Sequence, residues 1–360
     1  MTKMQTTAED FYLPAEWEPQ SGVQLTWPHA DTDWKPYLEA ITATEVLLAK
    51  TIARYERVLI VAQEPEEAAR YFSHDERQRI TFRACPLNDT WARDHAFITL
   101  RSPADGNRIK LLDFRFNGWG NKFRSDLDTQ INRRLFDLAT FNGEYVDCND
   151  MVLEGGSIES DGKGTLLTTS LCLLAPHRNQ PMSRDEIEAE LMRRLHVRRV
   201  LWVDHGRLDG DDTDGHIDTT VRFAPNDTLL YVGCDDPTEG QYHDFKQMEE
   251  QLKTFRTLDG RPYRLLRLPF APPMTDYGER LPATYANFVI VNGAVIYPTY
   301  GHPQLDRRAA HVIGQAFPGR AVVGIDASTV VRQHGSLHCL TMQFPERAIV
   351  TEKESSQSNP

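Results

Sequence analysis

The chain has 360 residues, 40% hydrophobic and 26% charged, with a formal net charge of −12. These proportions suit a soluble globular protein of one large or two ordinary domains, and the acidic balance argues against a nucleic-acid partner while favouring a small cation. Cys85, Cys148, Cys172, Cys234 and Cys339 are scattered without a Cys-x-x-Cys spacing, so neither a zinc ribbon nor a dense disulfide framework is indicated and a reducing compartment is expected.

The N-terminus lacks a basic-then-apolar leader, and no apolar run approaches the roughly 18 residues of a spanning helix, which predicts a cytoplasmic protein without a membrane partner. Taken along the chain, a helix is predicted at 37–55 and strands at 58–62, 80–84 and 109–114. Helices follow at 125–139 and 183–195, strands at 200–204 and 228–233, a helix at 241–256, a strand at 288–298, a helix at 304–317 and a strand at 321–325. Ser125 with Asp128, and Ser183 with Asp185 and Glu186, read as helix starts. Strands and helices interleave throughout, which is the α/β class. No linker divides the chain, so one domain is expected over 1–351 with a disordered tail at 352–360. No internal repeat is visible by eye, although a structural repeat can outlast its sequence pattern.

Four segments carry groups suited to chemistry: Asn88–Asp94, Leu153–Ser157, Asp214–Asp218 and His338–Cys339. If a strand runs through 215–223, His216 and Asp218 lie two apart and face one side. The acidic approach of Asp209, Asp211, Asp212 and Asp214 invites a calcium loop, but the frame with Gly215 at the sixth place puts Gly210 first and Val221 twelfth, where ligands are needed. A solvated acidic turn is the plainer alternative. His334, His338 and Cys339 could ligate a metal, yet Gly335-Ser336 is poor helix material and no matching cluster completes the set. A buried, inert cysteine is the usual alternative for Cys339. His338 does not settle the matter, since neighbours on a strand face opposite sides. Glu154 before Gly155-Gly156, and Asp94 beside Arg93, could equally be a turn and a structural ion pair. The stretch 116–120, Phe-Asn-Gly-Trp-Gly, reads as a flexible wall over a ligand or a loop anchored by its Trp.

The combination resembles the agmatine deiminase family and its relatives, the bacterial peptidylarginine deiminases. The resemblance rests on 14–19 (Pro-Ala-Glu-Trp-Glu-Pro), Trp27-Pro28, Trp91-Ala92-Arg93-Asp94, the 116–120 stretch, 153–157 (Leu-Glu-Gly-Gly-Ser), Gly215-His216-Ile217-Asp218, Tyr285-Ala286-Asn287-Phe288 and His338-Cys339, in that order. It implies a five-fold α/β propeller of ββαβ units around a central site. It also implies Cys339 as nucleophile, His216 as acid/base, Glu154 as the carboxylate orienting that histidine, and Asp94 and Asp218 as the pair gripping a guanidinium. Asp212, Trp91 and Trp119 are the further substrate-binding candidates. No metal or organic cofactor is implied. The expected partner is a small cationic guanidine, and a homodimer is compatible with the reading.

Two departures from the family pattern stand out. Residues 334–337, His-Gly-Ser-Leu, replace a Gly-rich stretch before the cysteine, and Arg115 stands where a small or uncharged residue is expected. An arginine near the site could hold a carboxylate. Hydrolysis of agmatine is the leading expectation, deimination of arginine or peptidyl arginine, which Arg115 would favour, its rival, and a non-catalytic binding propeller the outsider.

Overall fold

The computed structural model describes residues 11–104 and 108–350, and the tail expected at 352–360 lies outside them. Among the described residues, five sheets share one plan: two antiparallel strands, then a helical crossover to a third strand parallel to the second. In the second sheet these are Ile98–Arg101, Ile109–Arg115 and Glu144–Val152. The third has Ile158–Ser160, Thr165–Thr169 and Arg199–Val203. The fourth has Val221–Ala224, Thr228–Gly233 and Arg264–Pro269, and the fifth Val289–Val291, Ala294–Thr299 and Ala321–Asp326.

The first sheet repeats the plan across the chain ends. Thr341–Pro345 pairs antiparallel with Gln20–Thr26, which is followed by parallel Arg57–Ala62 and Ile80–Ala84. Parallel pairs need crossovers, and helices supply them. Leu38–Ile52, Ile131–Asp137, Arg184–Leu195, Tyr242–Thr254 and Pro303–Ala316 each bridge a parallel pair, one per sheet. No helix among the described residues is long and apolar enough to cross a membrane. The mixed α/β expectation holds, and the repeat invisible in sequence is plain in topology.

Local readings fared unevenly. The strands at 80–84 and 228–233 have the predicted bounds, and Ser183 forms a capping box with Glu186. The single strand predicted at 288–298 is a hairpin, broken at Asn292-Gly293, where Gly293 adopts φ +85°. The helix predicted from 125 begins later, with a short 3₁₀ turn Asp128–Gln130 before Ile131–Asp137. Asp128 is buried and accepts the backbone N–H of Asn88 (2.6 Å), so it ties two loops rather than opening a helix. The strand imagined through 215–223 starts at Val221, because Ile217–Thr219 is a 3₁₀ turn.

The helix Leu38–Ile52 buries Ile41, Glu45, Leu48 and Ile52, a stripe at three- and four-residue spacing in which one position is a carboxyl. No protein group bonds either Glu45 oxygen. Burial, then the nearby Asp89 charge, raises its pKa well above the usual carboxylate range. A folded-state pKa raised above the unfolded value gives a contribution present at acid pH and lost as pH rises through it. Glu45→Leu, close in volume and apolar, should therefore stabilise the fold by about 1–2 kcal/mol, with a larger gain at pH 9 than at pH 6. Chemical denaturation at both pH values checks this, and a gain that shrinks with pH contradicts it.

Candidate active site

Each segment singled out in the sequence occupies the same place in a repeat, just ahead of a unit's first strand. Asp94 lies on the single turn Ala92–His95 before Ile98–Arg101, and Glu154 precedes the 3₁₀ turn Gly155–Ser157 before Ile158–Ser160. His216 immediately precedes, and Asp218 lies within, the turn Ile217–Thr219 before Val221–Ala224; Asn287 precedes Val289–Val291, and Cys339 precedes Thr341–Pro345. Equivalent positions in repeated units explain why residues so distant in sequence meet.

The meeting point is Gly156. A Cβ built there would lie 2.5 Å from His216 Nδ1, 2.9 Å from Asp94 Oδ1 and 3.2 Å from Asp218 Oδ2. Its own N–H donates to Asp94 Oδ1 (3.0 Å), and Trp119 Nε1 donates to the other oxygen (3.0 Å). His216 Nδ1 stands 3.7 Å from Asp94 and Nε2 3.8 Å from Glu154, with neither nitrogen hydrogen-bonded. Cys339 Sγ is 3.9 Å from Asp218 Oδ2 and 3.4 Å from Asn287 Oδ1. Asn287 Oδ1 also accepts the N–H groups of His338 (2.9 Å) and Cys339 (3.2 Å), fixing the backbone that carries the sulfur. All six polar and sulfur-bearing residues are buried.

Burial in this setting moves protons. Burial, then the Asp218 and Asp94 carboxylates, push the Cys339 thiol well above its ordinary range. Asp94 rises to about 6, chiefly by desolvation. For His216 burial opposes the charge, but Asp94, Cys172 and Glu154 outweigh it and raise the imidazole well above its usual value. Burial likewise opposes charge on Glu154 and Asp218, yet His216 and Arg178 hold Glu154 low, and the hydrogen bond from His338 holds Asp218 low.

A cavity of about 30 Å³ opens onto Cys339 between Trp91, Trp119 and Phe123, with Asp33, Asp89, Asp94 and Asp212 in its wall. Trp91 packs on Trp34 and over Gly335, whose Cβ would sit 2.1 Å from the indole, so the short 334–337 stretch seats an aromatic wall. Trp119 has φ +54° inside a run of left-handed residues from 118 to 121, held between Phe116 and Phe123. Asp212 is raised to about 6 by burial and Asp211. A larger cavity of about 90 Å³, walled by Glu16, Arg93, Gly155, Glu159 and Gln343, does not include Cys339 or His216.

Several sequence readings need correction. Arg93 pairs with Glu16 (3.0 Å), not with Asp94. Arg115 is exposed and does not line the cavity. His334 bonds the Gly210 carbonyl and His338 faces Asp218 and Glu16, so these histidines and Cys339 form no ligand set. Among the described residues, two other groupings bring metal-ligating atoms together, Glu154 with Cys172 and His216, and Glu16 with Glu159 and His338. Each already holds a guanidinium: Arg178 on Glu154 (2.8 Å), and Arg222 on Glu159 and Glu16. That cation competes with a metal for the same carboxylates. Arg178, Arg222, Glu16 and Asn287 were not singled out as functional. Glu16 and Asn287 lay inside the quoted family segments, whereas Arg178 and Arg222 carried no local pattern.

Comparison with known proteins identifies the family. The family model for the Porphyromonas-type peptidyl-arginine deiminases matches residues 12–345. The agmatine deiminase of Medicago truncatula is 32% identical, covering 94% of this chain and 97% of its own length. A C. jejuni agmatine deiminase, solved as a cysteine-to-serine variant with substrate bound, is 35% identical with a TM-score of 0.87, covering 94% of this chain and 97% of its own. A Porphyromonas gingivalis structure provisionally described as an arginine deiminase is 47% identical with a TM-score of 0.90, covering 95% and 100%. With the match running almost end to end, this chain belongs to the Porphyromonas-type peptidyl-arginine deiminase family and is an enzyme that deiminates guanidino groups.

Proposed function

We propose that the enzyme hydrolyses agmatine to N-carbamoylputrescine and ammonia, with Cys339 as nucleophile, His216 as acid/base, Glu154 orienting the histidine, and Asp94 and Asp218 holding the guanidinium. The observation that carries the substrate choice is the wall of the Cys339 cavity, which has four aspartates and no arginine or lysine. Agmatine brings positive charge at both ends. Arginine adds a carboxylate that would meet the like charge of these aspartates, which is costly in a partly dry site. Free arginine is the second reading, favoured by the description of the P. gingivalis relative and by Lys122 near the site, although its ammonium is engaged by Asp214 (2.9 Å) and the Asp212 carbonyl. In the same reading the five repeated sheets close as propeller blades within one domain, placing the segments ahead of each first strand around a common centre.

The chemistry follows from the charges. In the empty site the carboxylates oppose a thiolate. A guanidinium seated between Asp94 and Asp218 reverses that field, so the thiol gives up its proton to solvent as the cation arrives. The sulfur then bonds to the guanidinium carbon. His216, charged, protonates the departing nitrogen; the C–N bond breaks, ammonia leaves, and a thiouronium remains. Neutral His216 takes a proton from water as its oxygen attacks the same carbon. The C–S bond breaks, the thiolate returns, and the ureido product leaves as the oxygen's remaining proton passes to solvent. Asp212 holds the terminal ammonium, with Trp91 and Trp119 flanking the chain.

Cys339→Ala should abolish ammonia release with the circular dichroism spectrum unchanged, while Cys85→Ser, Cys148→Ser and Cys234→Ser keep most of the rate. Residual turnover in Cys339→Ala well above background would sink the covalent route. Cys172 differs from those three because its Sγ lies 4.0 Å from Glu154 Oε2. His216→Ala should cost on the order of 10²–10⁴-fold in rate, and Gly156→Ala about 10²-fold by displacing the imidazole and Asp94.

The pH profile gives an independent check. Asp94 and Asp212 must be ionised to take a cation, and both are raised to about 6. Protonation as pH falls through that value removes the charge that binds substrate, so kcat/KM for agmatine should have an acid limb near pH 6. Asp212→Asn should raise KM for agmatine more than for an alkylguanidine that lacks the terminal ammonium. If arginine is turned over better than agmatine, or Asp212→Asn raises both KM values equally, the agmatine assignment fails.

A further inference from the structure

We propose that His338 is a positioning residue for Asp218, holding one carboxylate oxygen in place and leaving the other, which has no protein partner, for the guanidinium. The proposal rests on the reading of Asp218 as a substrate ligand. His338 directly precedes the nucleophile, yet its ring turns to Asp218, with Nδ1 2.8 Å from Oδ2. The opposite oxygen, Oδ1, is buried and has no protein partner. Asp218 is fully buried and held in its charged form, so Nδ1 must be the donor in this contact.

The far side of the ring is fixed as firmly. His338 Nε2 lies 2.8 Å from Glu16 Oε1 and 3.0 Å from Arg222 Nη2. Arg222 is completely buried, bonds the carbonyls of Ala286 (2.9 Å) and Phe288 (2.7 Å), and pairs with Glu159 and Glu16. Glu16 accepts from Arg93 as well (3.0 Å). The imidazole is thus clamped between a cationic, backbone-anchored scaffold and the carboxylate it aims. Without that donor, Asp218 would be free to rotate, carrying Oδ1 away from its present place, or to take a proton in its dry surroundings, and either weakens its hold on the guanidinium.

The donor's place separates this role from simple packing. Asparagine at 338 can put its amide N–H₂ near the position of Nδ1 and so reach Asp218, whereas glutamine reaches the position of Nε2 and keeps Glu16 instead. The dissociation constant of agmatine should be measured by calorimetry in the Cys339→Ala protein carrying His338→Asn, His338→Gln or His338→Leu, with Asp218→Asn as reference. His338→Asn should stay within about threefold of its parent, and His338→Gln and His338→Leu should weaken binding about 10–100-fold, the loss expected of one charge-assisted hydrogen bond. In the otherwise native enzyme, His338→Gln should raise KM by more than it lowers kcat.

The order of the variants decides the outcome. If His338→Gln binds agmatine as tightly as His338→Asn while Asp218→Asn weakens it, the positioning role is overturned and the reading of Asp218 survives. If Asp218→Asn leaves affinity intact, that reading falls and takes the proposal with it. Should His338→Leu fail to fold, the asparagine–glutamine comparison carries the test. Losses that follow melting temperature across the series, regardless of donor position, overturn it too.

Discussion

Carboxylates buried together must find positive charge, and the centre of this protein is organised by that requirement. Glu16, Glu154, Glu159, Asp94 and Asp218 are withdrawn from water to varying degrees within one connected network. Three arginines answer most of it: Arg178 bridges Glu154 and Asp214, Arg222 bridges Glu159 and Glu16, and Arg93 takes the remaining oxygen of Glu16. Asp94 and Asp218 are the carboxylates beside Cys339 to which none of these guanidinium groups bonds. They face histidines, an indole and a backbone N–H instead. The molecule thus shows how its interior satisfies a carboxylate with a guanidinium, and leaves that pairing unmade beside the sulfur. A substrate guanidinium is the group that would complete the pattern.

The repeated sheet plan is what makes so much charge affordable in one place. Each unit delivers a short turn ahead of its first strand, and each turn carries one or two of the polar groups, while the strands behind them are apolar and buried on both faces, as in Val58–Val61 and Leu229–Val232. Backbone order follows from sheets and helical crossovers, so the site residues need not stabilise the fold themselves. The closing pair, Gln20–Thr26 with Thr341–Pro345, ties the strand after Cys339 to the start of the chain and brings Glu16 to His338 across 322 residues. A contact at that separation helps fix the residue beside Cys339.

Legibility in the sequence followed the range of the interactions. Helices with an apolar stripe and strands rich in Val, Ile and Leu were recognisable because their periodicity is local, and the hairpin at Asn292-Gly293 was missed although its turn pair was present. Short strands such as Ile158–Ser160 and Thr341–Pro345 carry too few residues for a pattern and form because a neighbouring strand offers the ladder. The candidates Cys339, His216, Asp218, Glu154 and Asp94 were singled out through motif order, and the structure brings all five together. Their geometry was not legible. The argument that His216 and Asp218 share a strand face predicted convergence for the wrong reason, since a 3₁₀ turn presents them.

What escaped the sequence was mostly counter-charge. An arginine has no signature that separates a buried bridge from a surface side chain, and Arg178 and Arg222 look no different in sequence from Arg115, which is exposed. The distinction arises only when carboxylates from different repeats close around the guanidinium, because the cost of burying either charge alone exceeds what local structure can offset. The same physics separates His338 from His334, four residues apart in one loop. One meets two carboxylates from distant units and is fully buried, and the other meets a carbonyl nearer the surface. Chemistry-bearing residue types could be named from the chain, but which of them answer one another is a property of the assembled repeats.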